Sequence, residues 1–470
     1  MTNQHDEHTV LETISPADDS ILVTQPLANQ KDIIESLERA NIAQSHWRQT
    51  PLAQRKTYCS RAIDALLTHK EMIASEISWM MGRPIRYSSG ELSGVEERAR
   101  YMISICDEAL APIKLADKPG FTRYIKHEPL GTVFVIAPWN YPYLTAINSI
   151  IPALLAGNTV ILKHSSQTPL CAERLQQAFD EAGLPRGIFQ HLFLNHSNTE
   201  QLIASEQIQH VTFTGSVSGG KMVEKAAAGH FHNIGLELGG KDPAYVRADA
   251  NLEHAVKTVV DGALFNSGQS CCGIERIYVD ASIHDEFVVK AKQEIYTYQL
   301  GSPLEHDTTL GPLVRTTAAN FIRDQIQQAI EMGATAHINE SDFPASQPDT
   351  PYLAPQLLTG VTHQMRVMTE ETFGPVVAVQ KVHSDHEAIA LMNDSEFGLT
   401  ASIFTRNTDQ AIELGEQLDV GTFFVNRCDY LDPALAWTGV KHSGRGYALS
   451  KLGFETLTRP KSFHIKHLQE

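Results

Sequence analysis

From Gly131 onward the chain alternates short apolar runs with amphipathic stretches, and few folds accommodate that rhythm. GTVFVIAPWN reads as a strand ending in a proline-containing turn, and AINSIIPALLAG as a helix capped by Gly157. TVILK is strand-like, and PLCAERLQQAFDEAG is helical up to Gly183. IFQHLFL and HVTFTG are further strands, each followed by helical periodicity. A second series begins near Gly240, with LEHAVKTVVDGALFNSG as a helix and ERIYVD as a strand. AANFIRDQIQQAIEMG and HEAIALMNDS then read as helices, and ASIFT and TFFVN as strands. Short apolar strands separated by amphipathic helices predict βαβ units and a parallel sheet, so the expected class is α/β. Ligands on such sheets bind at the carboxyl ends of the strands.

The chain has 470 residues, which predicts two or three domains rather than one core. Residues 28–110 precede the alternation and read as helical: LANQKDIIESLERANIAQSHWRQT, then KTYCSRAIDALLTHKEMIASEISWMMG, stopped by Gly82 and Pro84, then GELSGVEERARYMISICDEAL. Residues 119–130 and the tail SFHIKHLQE look extended, as arms that pair with another element or another subunit. The formal net charge is −17, which argues against non-specific nucleic-acid or membrane binding, since both need a basic face. The start, MTNQHDEHTV, lacks a basic segment followed by an apolar run, and no stretch is apolar enough to span a bilayer. Six sparse cysteines without zinc-type spacing suit a reducing cytoplasm, and Cys59, Cys106 and Cys171 read as buried apolar side chains.

Five segments carry candidate chemistry. In FNSGQSCCGIERIYV a glycine precedes adjacent Cys271 and Cys272 at a turn. The thiolate is the nucleophilic form of cysteine, but spacing alone leaves a reactive thiol and a buried one equally open. In GLELGGKDPAYV, Glu237 stands between Leu236 and Leu238, and apolar company raises a carboxyl pKa toward the range of a general base. The glycine pair that follows permits close backbone approach. HVTFTGSVSGGKM has a strand, Gly215, and then Gly220–Lys221, but Met222 replaces the magnesium-binding hydroxyl of a P-loop. It reads as a phosphate or dinucleotide cradle. In APWNYP, Asn140 is either an oxyanion donor or an amide satisfying turn backbone. In MTEETFGPVV, paired Glu370 and Glu371 suit ribose hydroxyls or a solvated turn, and no metal is expected there.

APWNYP, LAGNTVILK, FTGS, LELGGKDP, FNSGQSC, EETFGPV and SGRG, in this order, resemble the aldehyde dehydrogenase superfamily over nearly the whole chain. The resemblance implies a three-layer fold: a Rossmann-like NAD(P)-binding domain (1–110 and 130–239), a catalytic α/β domain (240–440), and an oligomerisation element with C-terminal arm (111–129 and 441–470). It casts Cys271 as nucleophile, Glu237 as general base and Asn140 as oxyanion donor with the backbone N–H of Cys271. Lys163 and Ser166 would meet the adenosine ribose, and Gly215 and Ser216 the pyrophosphate. Glu371 and Phe373 would position the nicotinamide ribose and ring, with Pro138, Trp139 and Leu238 also around the cofactor. Tyr141, Ile147, Trp437 and the stretch Arg427–Leu431 would line the substrate tunnel. Tyr141 and Trp437 favour an apolar or aromatic aldehyde, whereas Arg427 would suit an anionic one.

Three positions depart from the family pattern. Asn148 stands where many relatives have a lysine, which argues against a proton relay through it. Ser166 stands where NAD-preferring relatives have a glutamate, so NADP is expected to be tolerated or preferred over NAD. Ile147 stands where some semialdehyde-specific relatives have an arginine, which weakens a succinate-semialdehyde substrate without excluding it. The implied reaction oxidises an aldehyde to a carboxylic acid through a thioester in a cytoplasmic homodimer or homotetramer. The alternatives are transfer of the acyl group to CoA and a non-catalytic NAD(P)-binding protein.

Overall fold

The computed structural model describes residues 9–428 and 430–468. Its first sheet has six strands in the order Gly444–Arg445, Asn233–Glu237, His210–Thr214, Thr132–Ala137, Thr159–His164, Phe189–His191. Five of these strands are parallel, and Gly444–Arg445 is antiparallel to its neighbour. Chain order reverses between Thr132–Ala137 and His210–Thr214, which creates the crevice where such sheets bind ligands. Asn140 follows the first of these strands, and Gly215 and Ser216 follow the second.

The second sheet has seven strands, Thr335–Ala336, Gln356–Thr359, Val376–Val382, Ile274–Asp280, Asp242–Val246, Thr400–Phe404 and Thr422–Val425. Only the first pairing is antiparallel. The expectation that site residues sit at strand carboxyl ends holds for this chain's first sheet and reverses in the second. Cys271 and the segment Glu371–Phe373 lie just before strands Ile274–Asp280 and Val376–Val382. The amino edge of one sheet thus faces the carboxyl edge of the other across the cavity.

Local differences from the sequence reading have physical causes. The stretch read as one helix before Gly82 is two, Leu52–Thr68 and Lys70–Met81, broken at His69. The helix before Cys271 ends at Leu264 rather than running to Gly268. Asn266, Ser267 and Gly268 then take left-handed backbone angles (φ 54°, 56° and 73°) that turn the chain into the site. Cys59, Cys106 and Cys171 are buried as expected, and desolvation pushes the Cys59 thiol up to about 12.

The expected arms pair with each other. Phe121–Pro129 is antiparallel to Thr458–Lys466, and Ile113–Lys114 completes a three-stranded sheet. Within the segment 441–470, Gly444–Arg445 is an edge strand of the first sheet, while Lys441 pairs with Phe397. Among the described residues no helix is long and apolar enough to cross a membrane.

The turn before Cys271 yields a test. A Cβ on Gly268 would lie 2.2 Å from the carbonyl oxygen of Gly374, in a left-handed conformation. Gly268→Ala is expected to destabilise the fold by about 2–4 kcal/mol. The denaturant midpoint measures this, and an unchanged midpoint would contradict the close packing of this turn.

Candidate active site

The amide that carries Asn140 is fixed from below by a buried ion pair. Arg83 and Glu91, with side chains 2% and 0% exposed, pair inside the protein. Glu91 Oε1 accepts the backbone N–H groups of Tyr143 and Leu144 at 2.9 and 3.0 Å, two otherwise unsatisfied donors in the first turn of helix Pro142–Ala156. Arg83 donates to the carbonyl of Asn140 and, at 3.0 Å, to Oδ1 of Asn266. Asn140 Nδ2 in turn donates to the carbonyl of Gln269 at 3.3 Å. One ion pair therefore ties the Asn140 turn to the turn that precedes Cys271.

A second buried pair builds the opposite wall. Lys241 Nζ lies 2.6 Å from Glu275, and Glu275 accepts the N–H groups of Thr372 and Phe373 at 2.8 Å each. This holds Phe373 at φ 55°, with its ring edge-on to Trp139 at 5.7 Å between centroids. Glu371 accepts the N–H of Gly240 at 3.0 Å. The close approach expected of the glycine pair is real: a Cβ on Gly239 would lie 2.3 Å from the Glu371 carboxylate, and one on Gly240 2.3 Å from the carbonyl of Cys271. Burial, reinforced by Glu275, raises the Glu371 carboxyl to about 8.

Glu237 ends strand Asn233–Glu237 and accepts Thr214 Oγ1 at 3.2 Å. Burial raises its carboxyl to about 7, while the Thr214 hydrogen bond and Arg98 pull the other way. Half-buried Cys271 and Glu237 border two adjoining spaces. One, of about 360 Å³, is also lined by Pro138, Trp139, Asn140, Gly215, Ser216, Leu238, Glu371 and Phe373. The other, of about 200 Å³, is lined by Tyr141, Leu144, Tyr430, Leu431 and Trp437 among others. Glu237 also borders a third cavity, walled by Asn148, His210, Thr212 and Arg445.

The larger space suits a dinucleotide. Ser216 caps helix Val217–Ala227, its Oγ accepting the N–H of Gly219 at 3.2 Å, so a helix N-terminus faces the pocket. Lys221 is exposed on that helix and outside the pocket lining. Lys163 and Ser166 line a separate depression at the end of strand Thr159–His164, together with Asn195 and His196, which the sequence reading missed. Lys163 has no carboxylate partner among the described residues, and burial alone lowers its pKa. A lone lysine beside a serine fits an adenosine ribose or its phosphate.

The sequence model of the family described as "Aldehyde dehydrogenase family" matches residues 2–463. The chain belongs to the aldehyde dehydrogenase family. It is 35% identical to a succinate-semialdehyde dehydrogenase [NADP(+)] of Deinococcus radiodurans, covering 96% of this chain and 93% of that one. A lactaldehyde dehydrogenase of Escherichia coli is 33% identical, over 97% and 95% of the two chains. The structure of a Streptococcus pyogenes succinic semialdehyde dehydrogenase in complex with NADP+ superposes with a TM-score of 0.92 at 29% identity, covering 97% and 100%. Membership carries NAD(P)-dependent oxidation of an aldehyde as the activity.

Two expected tunnel residues of this aldehyde dehydrogenase lie elsewhere. Tyr141, Leu144, Thr145 and Asn148 share the cavity-facing side of their helix, at the three- and four-residue spacing of one face. Ile147 falls one position off that face and packs in the core, 2% exposed, so its apolar character says nothing about the substrate. Arg427 is exposed, its guanidinium 3.8 Å from the centroid of the Tyr430 ring and outside the lining. Asp429, in the same stretch, lies outside the described residues. Arg98, Phe265 and Gly94 line the cavity and were not foreseen. Arg98 had a signal: it falls on the stripe of Glu91, Leu92, Val95, Ala99 and Met102 that helix Ile85–Ala109 buries.

Removing one member of the Arg83–Glu91 pair strands a buried charge. Glu91→Ala is expected to cost about 3–5 kcal/mol of stability. Chemical denaturation measures it, and a loss below about 1 kcal/mol would show that the pair is not what fixes the Asn140 turn.

Proposed function

We propose that Cys271 carries the acyl group, that Glu237 activates the water that releases it, and that the product is a carboxylic acid. The single observation behind this reading is the placement of Cys271, Glu237 and Asn140 on one cavity. NAD(P), when bound, supplies the hydride acceptor. Pro138, Trp139, Gly215, Ser216, Leu238, Glu371 and Phe373 would hold it, with Lys163 and Ser166 at the adenosine end.

Cys271 Sγ adds to the aldehyde carbon, and the carbonyl oxygen gains the electron pair. Asn140 Nδ2 and the N–H of Cys271 stabilise that oxyanion, an effect worth about 2.7–4 kcal/mol for one donor at comparable sites. Loss of hydride from the same carbon leaves a thioester on Cys271. Glu237 then takes a proton from water, the hydroxide adds to the thioester carbonyl, and collapse expels the Cys271 thiolate. A carboxyl held near 7 is half ionised at neutral pH, which suits repeated uptake and release of that proton. Transfer to CoA would need no such base, so Glu237 favours water as acceptor. The sheet formed by the arms leaves Ile113, Leu115 nearby and Ile465 exposed, which supports its placement between two copies in a dimer or dimer of dimers.

Glu237→Gln is expected to give one equivalent of reduced cofactor in a burst and then slow by about 10²–10⁴-fold. In the parent enzyme, deacylation should rise with pH through about 7 and level off above it, because the base acts ionised. Stopped-flow absorbance at 340 nm with excess aldehyde and cofactor reads both, the burst as hydride transfer and the phase after it as deacylation. A Glu237→Gln enzyme with full steady-state turnover would remove Glu237 from the mechanism.

The adenosine end predicts cofactor choice. Lone Lys163 and short, neutral Ser166 favour acceptance of a 2′-phosphate. Ser166→Glu should lower kcat/KM for NADP roughly tenfold or more by like-charge repulsion, with NAD little changed. Strict NAD dependence of the parent enzyme would contradict the assignment.

A further inference from the structure

The cavity that ends on Cys271 has one wall whose chemistry the reaction leaves unused. Arg98 lies there, 9% exposed, on the buried face of helix Ile85–Ala109. Its Nη1 donates only to neutral oxygens, the Leu144 carbonyl at 3.4 Å and Asn148 Oδ1 at 3.3 Å. Both are long beside the roughly 2.7–2.9 Å of a charge-assisted bond to a carboxylate. No ion pair joins Arg98 to any carboxylate among the described residues.

The other buried arginines are engaged differently. Arg83 is paired with Glu91 and also donates to Asn140 and Asn266. Arg276 donates to the carbonyls of Lys241, Leu391 and Met392 at 2.8–3.0 Å. Three carboxylates lie near enough to act on Arg98 through space, and each is held by another donor. Glu91 is committed to Arg83 and two N–H groups, and Glu237 accepts Thr214. Glu97 is exposed at the cavity rim and accepts Tyr430 Oη at 2.7 Å. A guanidinium desolvated without a close anion is costly, and a ligand that brings the anion removes that cost.

We propose that Arg98 anchors a carboxylate carried by the substrate at the end remote from its aldehyde, so that the substrate class is short-chain ω-carboxy aldehydes. The inference rests on Cys271 as the reacting end. Asn148, whose Oδ1 is occupied by Arg98, offers its Nδ2 as a second donor on the same wall. Leu144, Leu431 and Trp437 cover the intervening methylene groups. A cavity of about 200 Å³ suits a chain of few carbons. Arg98 is a specificity residue in this scheme and takes no part in bond making at Cys271.

The test compares succinate semialdehyde with butanal, which has the same chain length and no charge, using NADP. The parent enzyme should favour the carboxylated aldehyde in kcat/KM by roughly 10- to 100-fold or more. Arg98→Gln should remove that factor, so that kcat/KM for succinate semialdehyde falls roughly 10-fold or more relative to butanal, and Arg98→Lys should keep part of the preference. Equal losses on both aldehydes would overturn the anchor and make Arg98 a countercharge for Glu237. Equal use of both by the parent enzyme would also overturn the anchor, leaving Cys271 as nucleophile intact. Turnover of neither aldehyde would overturn both readings. Should the variants fail to fold, the parent enzyme decides: succinate should compete with the carboxylated aldehyde and butyrate should not, and equal inhibition by the two acids would overturn the anchor.

Discussion

Arg83 and Glu91 meet where a helix, a strand-end turn and a left-handed turn converge, and the site's geometry depends on that meeting. Two charges taken out of water are stabilising only if their remaining donors and acceptors are used. Here the partners are the first N–H groups of helix Pro142–Ala156, the Asn140 carbonyl and the Asn266 side chain. The groups that satisfy the pair are therefore the groups that position Asn140 and the turn before Cys271. The Lys241–Glu275 pair repeats the arrangement on the other wall, where it fixes Thr372 and Phe373. Neither pair lines the spaces that Cys271 and Glu237 border, so each can hold its wall in place.

That division explains the carboxylates. Glu91 and Glu275 have cationic partners in contact, and Glu237 and Glu371 have none. Desolvation without a contacting cation raises a carboxyl pKa, and it does so at both Glu237 and Glu371. At Glu237 that poise suits the proposed base, which takes up and releases a proton in each turnover. Burial likewise pushes up the thiols of Cys59 and Cys171 and keeps them protonated.

The parallel sheet was legible because strand and helix periodicities alternate without long interruptions from Gly131. The glycine pair after Glu237 was legible because only close backbone approach demands it there. The family order of short motifs then brought Cys271, Glu237 and Asn140 together, although no spacing rule alone could. What escaped was determined by direction. Ile147 and Asn148 are adjacent in sequence but about 100° apart on a helix, so one packs in the core and the other faces the cavity. The place of Gly444–Arg445 was hidden because it joins the first sheet through a pairing with Leu236 and Glu237 about two hundred residues earlier. Left-handed Asn266 and Ser267 were hidden too, since neither type announces that conformation as a glycine would.

Helix Ile85–Ala109 joins these threads. Glu91 and Arg98 are seven residues apart, two turns or about 10.5 Å, on one buried face. The first fixes the turn that carries Asn140, and the second stands on the wall of the cavity leading to Cys271. Apolar residues would have sealed the same stripe at less desolvation cost, so each charge needs a reason specific to its position. Glu91 has that reason within the fold, in Arg83 and two N–H groups. Arg98 has only two long bonds to neutral oxygens, and its missing anion has to come from what enters the cavity. On the proposed reading one helix carries Arg98 and, through Glu91, braces the turn of Asn140, which fixes the two ends of a bound substrate relative to each other. Chain length is then selected together with charge, and a substrate of the wrong length cannot satisfy Arg98 and Asn140 at once.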